Sequence, residues 1–182
     1  MEKFLFLSKF LQSPKTVGSI TPSSRFLARA MVNPIDWPAT ESIAELGAGT
    51  GIFTRYLHEL KHPGCKVMVF ERDDNMRNRL ESLYPDLYYH DNAVEIYSAM
   101  KKHHINQFDY VISGLPFMNF SQELRDAIME GVEKSLKPGG MFIAFQYSLQ
   151  MKKQLEQRFN RLDINFVPIN IPPAFVYCCQ KA

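Results

Sequence analysis

Three features of the sequence predict an α/β fold, a mostly parallel seven-stranded sheet with helices on both faces. From Ser42 onward, short apolar runs alternate with amphipathic stretches. The first apolar run leads straight into a glycine-rich turn, Gly47-Ala48-Gly49-Thr50-Gly51, and a helical pattern follows. The chain has 182 residues, 46% of them hydrophobic and 22% charged, which suits one domain of ordinary size. Such a chain buries roughly 70% of its unfolded surface and needs no metal or disulfide to hold a core.

Residues 1–40 read as an amphipathic helical arm and residues 41–182 as the main domain. In the first twelve residues Phe4, Phe6, Leu7, Phe10 and Leu11 fall within an arc of about 160° on a helical wheel, although Lys3 interrupts it. A Ser/Pro/Gly/Thr-rich link, 12–24, precedes a second helix that Thr21 is expected to cap, with Pro22 in its first turn and an end near Val32. Trp37-Pro38 reads as the join. Strands are then expected over 42–46, 66–70, 87–90, 108–112 and 141–147, and helices over 51–60, 73–83, 94–101, 121–136 and 149–160. Two closing strands follow, around 165–169 and 174–179. In such sheets ligands sit at the carboxyl ends of the strands, where strand order reverses. Function is therefore expected in the loops after the strands.

Several classes are disfavoured. No run approaches the ~18 apolar residues of a membrane span. Cys65, Cys178 and Cys179 form no Cys-x-x-Cys pair and leave an odd count, so a zinc site and a disulfide framework are not expected, and reduced thiols point to the cytoplasm. Net charge is only +2, yet residues 1–34 carry five basic residues against Glu2 alone. A basic arm on a near-neutral body suggests an anionic partner for the arm.

The sharpest signal is Glu45-Leu46-Gly47-Ala48-Gly49-Thr50-Gly51. Its third glycine comes one residue too early for a dinucleotide fingerprint, and no Lys-Ser or Lys-Thr follows as in a P-loop. The pattern resembles motif I of class I S-adenosylmethionine-dependent methyltransferases, and implies their Rossmann-like fold. In that family the glycine loop, here Gly47, Ala48, Gly49 and Gly51, packs on the methionyl and ribose parts of S-adenosylmethionine. The acidic residue, here Glu45, lies near the cofactor's amino-acid end. By the same resemblance Glu71, with Arg72 beside it, ends the second strand as the ribose acceptor. Asp91, followed by Asn92 and Ala93, takes the adenine position. Asp73 and Asp74 are read as caps of the next helix, and Asp91 has the alternative role of capping the helix near Val94. His90 is expected to be structural.

The fourth strand runs into Ser113-Gly114-Leu115-Pro116-Phe117-Met118-Asn119-Phe120. Amino-directed methyltransferases carry a similar polar-x-x-Pro-aromatic segment. Its first residue (Ser113) and exposed carbonyls such as that of Leu115 would accept from the target amine, and its aromatic (Phe117) would stack on a base. Three narrower segments resemble bacterial phospholipid N-methyltransferases: Ser13-Pro14-Lys15-Thr16-Val17-Gly18-Ser19-Ile20-Thr21-Pro22, the Gly-Leu-Pro loop, and Asn170-Ile171-Pro172-Pro173-Ala174-Phe175. Chains of this kind also resemble rRNA adenine dimethyltransferases.

The lipid resemblance implies methyl transfer to the amine of phosphatidylethanolamine, towards phosphatidylcholine, with no metal. Phe117, Phe120, Tyr147 and Tyr177 are candidates to hold the cationic products, each alternatively a core residue; Tyr147 is also a candidate base. Residues 1–32 would dock on an anionic membrane surface, at the cytoplasmic inner face, or pack on their own domain. An ornithine lipid would fit the same residues as acceptor. The rival activity is N6-methylation of adenine in RNA, against which stand the weak charge and the lack of room for an RNA-binding domain.

Overall fold

A computed structural model of the chain describes residues 24–182. Seven strands form one sheet in the order β3-β2-β1-β4-β5-β7-β6. They are β1 (Ser42–Leu46), β2 (Lys66–Phe70), β3 (Tyr88–His90), β4 (Phe108–Ser113), β5 (Leu136–Gln146), β6 (Arg161–Val167) and β7 (Ala174–Gln180). The first five run parallel, while β7 pairs antiparallel with both β5 and β6. Among the described residues six helices cover the faces: α1 (Arg25–Val32), α2 (Ile52–Leu60), α3 (Asp74–Leu83), α4 (Ile96–Lys102), α5 (Gln122–Ser135) and α6 (Lys152–Glu156).

The period-two alternation of the strands divides the core in two. Ala44, Leu46, Met68 and Phe70 point to one face, where Met100 of α4, Met129 and Val132 of α5 and Leu155 of α6 close over them. Ile43, Val67, Val69 and Ile112 point to the other, under Met31 of α1, Leu57 of α2 and Leu80 of α3. Because β1 is covered on both sides, every one of its residues is buried, Ser42 and Glu45 included. All three cysteines are buried and none forms a disulfide.

The structure departs from the sequence reading at identifiable places. The Thr21 cap and the first helix lie outside the described residues. Helix α1 begins at Arg25, and the Ser24 hydroxyl accepts from the Leu27 amide at 3.2 Å, so Ser24 is its cap. Leu27, Ala28 and Met31 are fully buried, so residues 25–32 contribute to the core. Asp73 caps α3 as expected, its carboxylate accepting from the Met76 amide at 2.9 Å. The helix expected over 149–160 is only Lys152–Glu156. Strand β6 starts at Arg161, not 165, because Leu162, Ile164 and Phe166 alternate with polar residues along an edge strand. Strand β5 starts five residues early, at Leu136, with an irregularity opposite Phe108 and Tyr110 that accommodates Gly139 at φ +74°.

Asp109 fastens the amino end of the sheet. It is almost fully buried, and one oxygen accepts from the amides of Glu41 and Ser42, both at 2.8 Å, while the other pairs with Lys137. Asp109→Ala leaves two amides without their acceptor. Denaturant titration should show a loss on the order of 2–4 kcal/mol, with Asp109→Asn losing less.

Candidate active site

Strand order reverses between β1 and β4: from β1 the chain steps outward to β2 and β3, and from β4 to β5 on the other side. The loops after β1 and β4 therefore meet at one cleft. Their approach is close. A Cβ on Gly114 would lie 2.9 Å from the Gly47 carbonyl oxygen, and one on Gly47, at φ +75°, would lie 2.7 Å from the Leu115 side chain. Both positions require glycine, Gly47 for its backbone conformation and Gly114 for contact with another backbone. The Gly114 amide donates to the Leu46 carbonyl at 2.9 Å, and the Gly47 amide to the Phe70 carbonyl at 2.8 Å, which ties β1, β2 and β4 together at their ends.

Glu71 braces the glycine loop. Its Oε2 accepts from the Gly49 amide at 2.6 Å and its Oε1 from the Asp73 amide at 2.9 Å. Nothing lies within 4 Å of a Cβ built on Gly49, so the loop faces open space beside this carboxylate. Ala48 is buried, and Gly51 starts α2 against Leu80 of α3, so both also pack the loop onto the domain. The Glu71 amide donates to the His90 carbonyl at 2.9 Å, which brings Asp91 alongside. Asp91 is exposed, as is Arg72. The cap after β3 is Asn92, whose Oδ1 accepts from the Val94 amide at 3.1 Å; Asp91 does not take that role, and Ala93 opens the short turn that follows. His90 stacks on Phe70 and shares a 3.0 Å hydrogen bond with His103; burial lowers the pKa of both imidazoles.

Glu45 is fully buried beneath α2. Its Oε2 accepts from the Thr54 hydroxyl at 2.7 Å, and its Oε1 has no partner among the described residues. Burial pushes its pKa up to about 8, against the Thr54 hydrogen bond, which lowers it. A buried acceptor oxygen without a donor, a glycine loop open at Gly49 and a carboxylate at the end of β2 fit a nucleoside cofactor that also carries an ammonium group.

On the reacting side the geometry corrects part of the sequence reading. Ser113 is buried, and its hydroxyl accepts from the Leu115 amide at 3.2 Å. The Leu115 carbonyl already accepts from the Phe117 amide and from Gln146 Nε2, each at 3.0 Å, so both of its lone pairs are taken and it is not an exposed acceptor for an amine. Phe117 is 1% exposed and packs edge-on against Phe142 and Phe120; the ring belongs to the core, not to the surface of the cleft. Tyr177 is likewise buried, its hydroxyl donating to the Ser148 carbonyl at 2.7 Å. Tyr147, just past β5, is 49% exposed. Burial of the phenol raises its pKa, so the phenolate form is scarce near neutral pH.

Two further polar residues hold the loops of the site. Gln146 ends a buried apolar strand, where a polar residue in an otherwise buried run is the signal available in the sequence. Asn170 opens the Asn-Ile-Pro-Pro segment. Its Oδ1 accepts from the Ser24 amide at 2.9 Å and its Nδ2 donates to the Pro172 carbonyl at 2.7 Å, which fixes the start of α1 beside Tyr147.

Comparison with known proteins agrees with this geometry. Residues 43–140 match the family described as "Methyltransferase domain". An ornithine lipid N-methyltransferase from Singulisphaera acidiphila is 32% identical, with the alignment covering 97% of this chain and 95% of the relative. Among solved structures, the N-methyltransferase NodS from Bradyrhizobium japonicum, in complex with S-adenosyl-L-homocysteine, superposes with a TM-score of 0.72 at 12% identity, covering 100% of this chain and 99% of that one. A TehB-like SAM-dependent methyltransferase from Corynebacterium glutamicum gives 0.63 at 14% identity, covering 100% and 98%.

Two measurements follow from the site. Glu45 unfolded loses its proton near 4.5 and folded near 8. Between those values the folded state holds the extra proton, so stability should fall as pH rises across that window and level off above it. Urea titrations at both ends should show this slope, and Glu45→Gln should flatten it. Gly114→Ala should push the two loops apart and weaken binding of S-adenosylhomocysteine roughly tenfold by calorimetry, about 1.4 kcal/mol.

Proposed function

The chain belongs to the S-adenosylmethionine-dependent methyltransferases, and from that premise we propose that it methylates the primary amine of a membrane lipid headgroup. It is an N-methyltransferase of the lipid-modifying kind. The observation that carries the lipid reading is the similarity over nearly the whole chain to an ornithine lipid N-methyltransferase, tail and start of α1 included. Two acceptors share the required chemistry, an alkylammonium beside an anionic group. Phosphatidylethanolamine is the acceptor read from the sequence. The ornithine headgroup is the second reading, and the relative's activity favours it.

S-adenosylmethionine, when bound, supplies a methyl group made electrophilic by a sulfonium. The protein must hold the acceptor nitrogen in line with it, which is where most of the rate gain in such a transfer arises. Glu71, Asp91 and the loop from Gly47 to Gly51 are proposed to hold the nucleoside, and Glu45 to face its ammonium end. The amine has to be neutral to attack, and its pKa in water is roughly that of a lysine, about 10. The Tyr147 hydroxyl is the side-chain oxygen proposed to orient it, and buried Ser113 is proposed to act indirectly, its hydroxyl holding the Leu115 amide. Tyr147 acts there as a neutral phenol rather than as a base, because its pKa is raised. Its exposed ring suits the methylated cation, worth ~0.5–2 kcal/mol.

Membrane contact is proposed through residues 1–32, with the protein bound peripherally at the inner face. In the described part, Arg25 and Arg29 lie four residues apart on the exposed side of α1, whose other side is buried. No described helix is long and apolar enough to cross a membrane. Deleting residues 1–12 should greatly reduce binding to anionic liposomes.

The acceptor is tested by expressing the chain in hosts that make phosphatidylethanolamine, ornithine lipid or both, followed by mass spectrometry of the lipids. Products one, two or three methyl masses heavier in one lipid class identify it. Label appearing in RNA and in neither lipid would overturn the reading.

A further inference from the structure

We infer that the outer end of the sheet carries a second lipid contact, an apolar rim formed by the β6–β7 loop and the turn after β5, which seats on an anionic bilayer surface. This rests on the lipid-amine reading above. Ile169 and Ile171 are 61% and 69% exposed, the most exposed large apolar side chains among the described residues. They are not scattered. Antiparallel pairing of Gln146 with Phe175 and of Val167 with Ala174 brings the β6–β7 loop to the same end of the sheet as Tyr147. The Tyr177 hydroxyl holds the Ser148 carbonyl, which keeps exposed Leu149 at that end. The Ser24 hydroxyl donates to the Ile169 carbonyl at 2.7 Å, which adds exposed Phe26 from α1.

The occupant is indicated by charge and position. Residues 24–35 contain no acidic residue, and the Arg25 guanidinium lies 5.2 Å over the Phe26 ring. Lys152 and Lys153 are exposed just beyond Leu149, and the nearest acid in sequence, Glu156, is paired with Lys152 at 3.7 Å. An apolar patch rimmed by cations is complementary to headgroups over acyl chains, and polybasic rims are drawn to anionic leaflets. The patch also opens at the carboxyl ends of the strands, beside Tyr147. A headgroup could therefore reach the cleft while its acyl chains stay in the bilayer.

The test uses the full chain and vesicles of phosphatidylcholine with and without phosphatidylglycerol. Ile169→Ser/Ile171→Ser and, away from that loop, Leu149→Ser should each bind anionic vesicles at least tenfold more weakly than the wild type, with calorimetric affinity for S-adenosylhomocysteine unchanged. Unchanged vesicle binding by both variants overturns the proposal. So would a wild-type dimer that the variants convert to monomer without loss of vesicle binding, which would assign the patch to a second copy. Faster proteolysis within residues 1–23 of the variants at constant vesicle binding would assign it to the chain's own arm, and also overturns it. A short-chain amino lipid below its micelle concentration separates the two readings. If the wild type methylates no lipid amine but the variants still lose vesicle binding, the acceptor reading fails and the docking surface stands.

Discussion

The site depends on the close approach of two backbones across the point where strand order reverses. The carbonyl of Gly47 rests against Gly114 with no room for a Cβ between them. That contact sets the loop after β1 relative to the loop after β4, hence the nucleoside side of the cleft relative to the reacting side. Glu71 then clamps the glycine loop from below, one oxygen on the Gly49 amide and the other on the Asp73 amide. In a transfer governed by alignment, an error of an ångström between these loops would be felt directly in the rate.

The polar groups around the cleft are few, and most already have partners. The Leu115 carbonyl is held by Gln146, the Tyr177 hydroxyl by Ser148, and the Ser24 amide by Asn170. These bonds are to backbone atoms of neighbouring loops, so they fix loop positions and leave little for a ligand. Glu45 differs: it is fully buried, and one of its carboxylate oxygens has no partner among the described residues. Such an oxygen is costly unless a donor arrives with a ligand. A buried carboxyl that keeps its proton to about 8 is a store of unfavourable charging energy that an incoming cation would relieve.

Much of this was legible in the sequence because burial on both faces writes strands as apolar runs and helices as amphipathic intervals. The first four strands and the first three helices of the sheet region fell within a residue or two of expectation. The Glu-Leu-Gly-Ala-Gly-Thr-Gly turn located the cleft for a physical reason: three positive φ values in five residues suit little but glycine. The edge of the sheet was less legible. Strand β6 lies at the sheet edge, so the polar residues Arg161 and Asp163 interrupt its apolar positions and its first four residues were not read as strand. Side-chain direction was the other blind spot. Phe117 turns into the core because of the way the short turn Phe117–Asn119 rolls the chain, and local sequence does not encode that direction. Asn170 and Gln146 act on residues 146 and 31 positions away, Ser24 and Leu115, and only the fold brings those together.

The central claim is that this cleft grips a sulfonium nucleoside through the carboxylate at the end of β2. Isothermal calorimetry with S-adenosylhomocysteine, on the wild type and on Glu71→Ala, tests it most directly. One site per chain in the wild type, with affinity at least tenfold weaker in a variant whose circular dichroism is unchanged, is the expected result. A wild type that takes up no nucleoside at millimolar concentration, or a Glu71→Ala protein that binds it equally well, would contradict the claim.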